Sequence, residues 1–167
     1  MRRLSAVLSW LIVAWTCYVF LGSLPYKFTA HPDTRHIFGT IGEWLGGVLG
    51  TGVGEAFRDY GAYAVGAGEA LASLLLLLPI PLWLIARLRG RPFGDTRRRL
   101  HLVGGLLAAA LMSGAVFFHL FTPLGIEVRH EGESDGGSLF LSAVSILVLG
   151  TLLAALNLGR SRTGRAA

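Results

Sequence analysis

Apolar positions gather along this chain into four long stretches, at about 4–24, 60–86, 100–122 and 138–158, separated by segments rich in charge, glycine and proline. About 20 residues rising 1.5 Å each cross a bilayer, so each stretch predicts a transmembrane helix. The first is too long for the core of a cleaved signal peptide, and no A-x-A site follows it, so it is read as a retained helix.

Between the first two stretches, residues 25–59 are too many for a simple turn. Pro32 suits a first helical position and Asp33 a first turn, where it meets the helix dipole. Ile37, Ile41, Trp44, Leu45 and Val48 recur at helical spacing. They predict a short interfacial helix in this outer loop, lying on the surface or dipping between spans. Gly42, Gly46, Gly50 and Gly54 fall every fourth residue, which is either a small-residue packing stripe or a flexible glycine-rich loop.

Small residues mark the inward faces. Ala64, Gly68 and Ala72 are spaced for close helix approach in the second span, and Ala62, Gly66 and Ser73 surround Glu69. Leu71, Leu74, Leu75 and Leu78 are left for lipid or the opposite wall. In the first span Ser5, Ser9, Ile12, Thr16 and Ser23 form a stripe that carries Lys27 with it if the helix survives Pro25. In the third span Ala108, Met112, Ala115, His119 and Thr122 share a face. The expected fold is all-α: a single domain, 1–167, folded as a transmembrane four-helix bundle.

Composition agrees, with 53% hydrophobic residues, 15% charged and a mean hydropathy of +0.59. Soluble domains carry nearer a quarter charged residues. The formal charge of +5 changes the picture only through its distribution. Eleven of the fifteen Lys and Arg lie near the N-terminus (Arg2, Arg3), in the 87–99 loop, or in the 159–167 tail (Arg160, Arg162, Arg165). The 25–59 and 123–137 loops hold eight of the ten acids. The positive-inside rule then predicts cytoplasmic termini and a cytoplasmic 87–99 loop in a bacterial inner membrane. The arginines serve topology and lipid contact, and nucleic acid is not an expected partner. Cys17 is the single cysteine, which excludes dithiol exchange within the chain.

An ionisable group inside a span needs a partner or a task. Counting about 20 residues outward from Arg87 puts the outer boundary near Ala67, so Glu69 lies one or two turns below it. His119 falls in the last turn of the third span and Lys27 just beyond the first. Lys27, Glu69 and His119 therefore reach similar depth, with Glu127, Asp135, His31 and His36 close above. Two arrangements satisfy this. In one, Glu69 and His119 form a proton-handling pair beside a hydrophobic cavity that could hold a quinone head group. In the other, Lys27 pairs with Glu69 while His119 bonds a backbone carbonyl and fixes helix register. No H-x-x-H or H-x-x-x-H spacing supports a metal site, and His101 and His119, at opposite ends of one helix, cannot ligate one haem iron. A conduit is disfavoured, because below the cluster only Ser73, Ser113, Ser142, Ser145 and Asn157 continue the polar path.

"LPYKF" closing the first span, "GAGEALASLLLLLP" in the second, and "SGAVFFHLFTPLGIEV" running into "SDGGSLFLSAV" form an ordered set that resembles the DoxX-like family of small four-span bacterial membrane proteins. The resemblance implies a quinone-linked or redox-associated membrane component working with a membrane or peripheral redox protein. Lys27, Glu69 and His119 are its matching positions, followed by Glu127 and Asp135, and the long glycine-rich first loop is a departure. The alternative is a non-catalytic scaffold or assembly subunit. Oligomeric state is not written in the sequence.

Overall fold

The computed structural model describes residues 2–158, with side chains from residue 4. The side chains of Arg2 and Arg3 and the whole 159–167 tail, with its three arginines, lie outside the described residues. The order is α1 (Arg2–Phe28), α2 (Pro32–Leu49), α3 (Thr51–Leu77), α4 (Pro79–Leu88), α5 (Thr96–Phe121), β1 (Arg129–His130), β2 (Glu133–Ser134) and α6 (Ser138–Leu158). The fold is all-α apart from that two-stranded ribbon, and four helical segments are long and apolar enough to cross a membrane. This is a multi-pass membrane protein.

Small residues set the bundle's geometry. α1, α3, α5 and α6 form a ring in which each helix packs on the next, α5 against α6 most extensively. The α5/α6 crossing is close because Gly105 and Gly150 face each other: a Cβ on either would come within 2.9 Å of the other's carbonyl oxygen. One apolar cluster joins Phe20, Ala72, Ala108, Met112, Ala143 and Ile146, and a second joins Ile12, Val13, Cys17, Leu76 and Leu153. The expected inward faces hold at Ser9, Thr16, Ala62, Gly66, Glu69, Ser73, Ala108, Met112 and His119, all buried. Ala64 is exposed instead, because α3 turns Ala62, Gly66 and Ser73 inward and presents Gly68 to Leu111 of α5. α1 does continue past Pro25, whose carbonyl accepts from the Thr29 amide at 3.0 Å.

The second span departs most from its expected limits. α3 starts at Thr51 rather than near Tyr60, and with α4 it makes a 38-residue helical segment to Leu88. At 1.5 Å per residue that is about 57 Å, nearly twice a hydrocarbon core, so α3 extends well beyond one face of the bilayer. The break at Leu78 follows from Pro79 and Pro81, which supply no amide to the carbonyls one turn earlier.

The projecting half of α3 folds back on α2 as a helical hairpin. α2 is 18 residues long, not short, and its glycines are a packing stripe rather than a flexible loop. Only Gly50 makes the turn, with φ 103°, a conformation that disfavours a side chain. A Cβ on Gly54 would lie 2.7 Å from the Gly46 backbone and closer still to the Gly42 carbonyl oxygen. The apolar face of α2 is covered: Ile41 and Leu45 join Leu124 and Val128 of the α5–α6 connection in a third core. That connection carries the β1/β2 ribbon, turned by Glu131 and Gly132 with φ 52° and 86°, the pair of positive φ values of a two-residue hairpin.

Candidate functional site

At the hairpin end of the bundle, Ser23 and Lys27 stand one turn apart on α1 and face Glu69 on α3. Lys27 Nζ lies 2.8 Å from Glu69 Oε2 and donates to Ser23 Oγ at 2.9 Å, while Ser23 Oγ lies 2.8 Å from both Glu69 Oε2 and the Phe20 carbonyl. Glu69 is 4% exposed, so nearly all its hydration is replaced by these two partners. Gly66, one turn before Glu69, leaves the passage: a Cβ there would sit 3.4 Å from Lys27 Cδ and 3.3 Å from the Phe28 ring. Ser23 lies on the Lys27 stripe, and its spacing of four residues from Lys27 is the signal in the sequence for this contact.

Above the pair opens a cleft of about 370 Å³ between the end of α1, the start of α2 and α3, lined by Lys27, Thr34, Arg35, Phe38, Arg58, Asp59 and Tyr63 among others. The chain reaches α2 through a tight turn. The His31 amide and the Thr34 hydroxyl both donate to the Tyr26 carbonyl, at 3.0 and 3.1 Å. His31 caps α2, its Nδ1 accepting weakly from the Asp33 amide at 3.4 Å.

His119 is not part of this cluster. Its Nδ1 lies 2.7 Å from the Gly125 carbonyl and its ring meets Phe140 edge-on, with 5.7 Å between centroids. No hydrogen bond or ion pair joins it to Glu69 among the described residues. The structure therefore brings Lys27 and Glu69 together and puts His119 at the α5–α6 connection. This is the arrangement in which the histidine secures a backbone.

Asp135 belongs to the same connection. It accepts from the amides of Val128 (2.7 Å), Gly137 (3.0 Å) and Leu139 (2.9 Å), tying the ribbon to the first turn of α6. Burial alone would raise its carboxyl, but those three amides and the nearby His119 hold it below the usual value of 3.8. Glu127 stays at the surface, bonded to the Ser134 hydroxyl and to Arg129 at 2.8 Å, and these partners hold its carboxyl low as well. His130 has no periodic or motif signal in the sequence that marks it out. It bonds Asp33 at 2.9 Å and stacks on His36 with centroids 4.7 Å apart, fastening the ribbon to α2.

Asp135→Ala is expected to cost about 1–3 kcal/mol, since three amides and the N-terminus of α6 lose their acceptor. A depressed carboxyl contributes stability above its unfolded value of 3.8 and loses it as pH falls through the lower folded value. Exchange rates of the Val128 and Leu139 amides should therefore stay flat, once corrected for intrinsic exchange, from neutral pH to about 4 and rise only below that. Early loss of protection, already at pH 5–6, would exclude Asp135 as the tie.

The far end of the bundle holds a separate polar layer. His101 is fully buried, edge-on to Trp10 at 4.8 Å, and Asn157 donates to the Leu153 carbonyl at 2.8 Å and to Ser9 at 3.5 Å. The Arg98 guanidinium reaches the Asn157 carbonyl at 3.1 Å. Between this layer and Thr16 and Ser73 lie Ile12, Val13, Leu76 and Leu153, so the described residues form no continuous polar file from end to end. No group of three or more potential metal ligands occurs among them either.

Compared with protein-family models, curated proteins and solved structures, the chain matches none. The DoxX-like resemblance rests on its motifs alone.

Proposed function

We propose that this chain is a DoxX-like, quinone-linked or redox-associated component of a bacterial inner membrane, with both termini in the cytoplasm and the α2/α3 hairpin on the outer side. The observation that carries the reading is the Lys27–Ser23–Glu69 cluster beneath a cleft of about 370 Å³, a volume within the usual range for small-molecule sites. On this reading the Lys27 ammonium would turn from Glu69 to donate a hydrogen bond to a ring carbonyl at the cleft floor. The two electrons supplied by a partner redox protein would be matched by two protons taken from water and relayed by way of Glu69, giving the quinol. The orientation is supported by the arginines of the 87–99 loop, which lie at the end opposite the hairpin.

The scaffold reading also has a specific observation in its favour, the His119 bond to the Gly125 carbonyl. Quinone extracted from protein purified in mild detergent separates the two. On the quinone reading the wild type carries about one equivalent, and Glu69→Gln, which keeps the shape of the side chain, loses most of it. Equal and negligible quinone in both proteins would leave the scaffold.

A further inference from the structure

The cleft above Glu69 has more positive charge than the ion pair uses. Lys27, Arg35 and Arg58 line it against Asp59, with Glu69 beneath, so three cations face two carboxylates and one positive charge is unmatched. Lys27 is committed to Glu69. Arg58 reaches only its chain neighbour Asp59, at 3.6 Å, and the Arg35 side chain makes no hydrogen bond or ion pair among the described residues. Two guanidiniums beside one cavity, neither well paired, suit a phosphate, whose oxygens accept paired N–H bonds from their fork-shaped donors.

The surroundings indicate where that phosphate comes from. Tyr63 lines the cleft and is 41% exposed, its ring 6.2 Å from Phe28, and Tyr26 and Tyr60 are exposed at the same end. Exposed aromatics with polar tips gather where acyl chains meet head groups. Leu71 and Leu74 continue outward-facing apolar surface along α3, available to acyl chains.

We propose that the mouth of this cleft binds the head group of an anionic glycerophospholipid, with its phosphodiester between Arg35 and Arg58. The single negative charge of that phosphodiester balances the unmatched cation, and Asp59 accepts from head-group hydroxyls such as those of phosphatidylglycerol. The site does not depend on a quinone: Arg35 and Arg58 are exposed at the mouth, whereas Lys27 and Glu69 lie at the buried floor.

The test is native mass spectrometry of detergent-purified full-length protein incubated with phosphatidylglycerol, phosphatidylcholine or phosphatidylethanolamine, with inorganic phosphate as a soluble competitor. One phosphatidylglycerol is expected to survive delipidation per chain, about tenfold tighter than phosphatidylcholine, whose choline cation already neutralises its phosphodiester and leaves the unmatched guanidinium charge unbalanced. Arg35→Ala/Arg58→Ala should abolish that preference without altering thermal stability, because both side chains are exposed, and Arg35→Lys/Arg58→Lys should keep part of it. Equal retention of all three lipids, or an unchanged preference in the folded double alanine variant, would overturn the proposal. Displacement by millimolar phosphate would overturn it too, in favour of a soluble phosphate compound. Glu69→Gln that loses quinone while retaining phosphatidylglycerol, or the reverse pattern in the arginine variants, keeps the two sites distinguishable.

Discussion

Lys27→Met is expected to destabilise the bundle by about 3–5 kcal/mol, the usual cost of leaving one member of a buried ion pair alone. The reason lies with Glu69, 4% exposed and served by two side chains among the described residues. Without the ammonium, the Ser23 hydroxyl is its single remaining donor, and that hydroxyl is also within reach of the Phe20 carbonyl. The carboxyl must then take up a proton or draw in water, and either loosens the α1/α3 contact. Adding Glu69→Met should recover most of the loss, because an apolar pair of similar volume removes the desolvation penalty along with the attraction. Unfolding in mixed detergent micelles measures the four members of this cycle. A single variant as stable as the wild type would show that the pair is solvated and contributes little.

Gly54→Val should be the most damaging change in the hairpin, costing about 3 kcal/mol or more. Its first new carbon meets backbone on the facing helix, the Gly42 carbonyl and the Gly46 Cα, and neither can rotate away as a side chain would. The helices must separate, and with them the third core of Ile41, Leu45, Leu124 and Val128. Hydrogen exchange should accelerate across α2 while α5 and α6, which share the Gly105/Gly150 contact, keep their protection. Gly47→Ala is the control. Nothing lies within 4 Å of a Cβ there, so the better helix former should gain about 0.5–1 kcal/mol. Uniform loss of protection through the whole bundle in Gly54→Val would mean that the hairpin and the spans unfold as one unit.

The Lys27 and Glu69 positions could be matched by counting residues from charged span ends, because helix rise and bilayer thickness are nearly constant. Whether Glu69 then turned toward Lys27 or His119 depended on the rotation of α3 about its axis. Packing decides that rotation: Gly66 lets Lys27 through on one side, and Gly68 takes Leu111 on the other. His119 was legible as a residue needing a partner, but its acceptor is a carbonyl six residues on, in a loop whose course has no periodic signature.

Sequence alone determined the all-α class, the four apolar helices and the charge asymmetry between the two ends, since these follow from hydrophobicity and 3.6-residue spacing along one segment at a time. Glycines every fourth residue left two readings open, because the same spacing serves a helix seam and a pliant loop. Only the tertiary structure decided between them, by setting α2 against α3 so closely that a Cβ on Gly42 or Gly54 would run into the facing backbone. It also placed Arg35 and Arg58, 23 residues apart in sequence, along one cleft beside Lys27. Contacts of that kind depend on how two helices cross, and no single segment encodes the crossing.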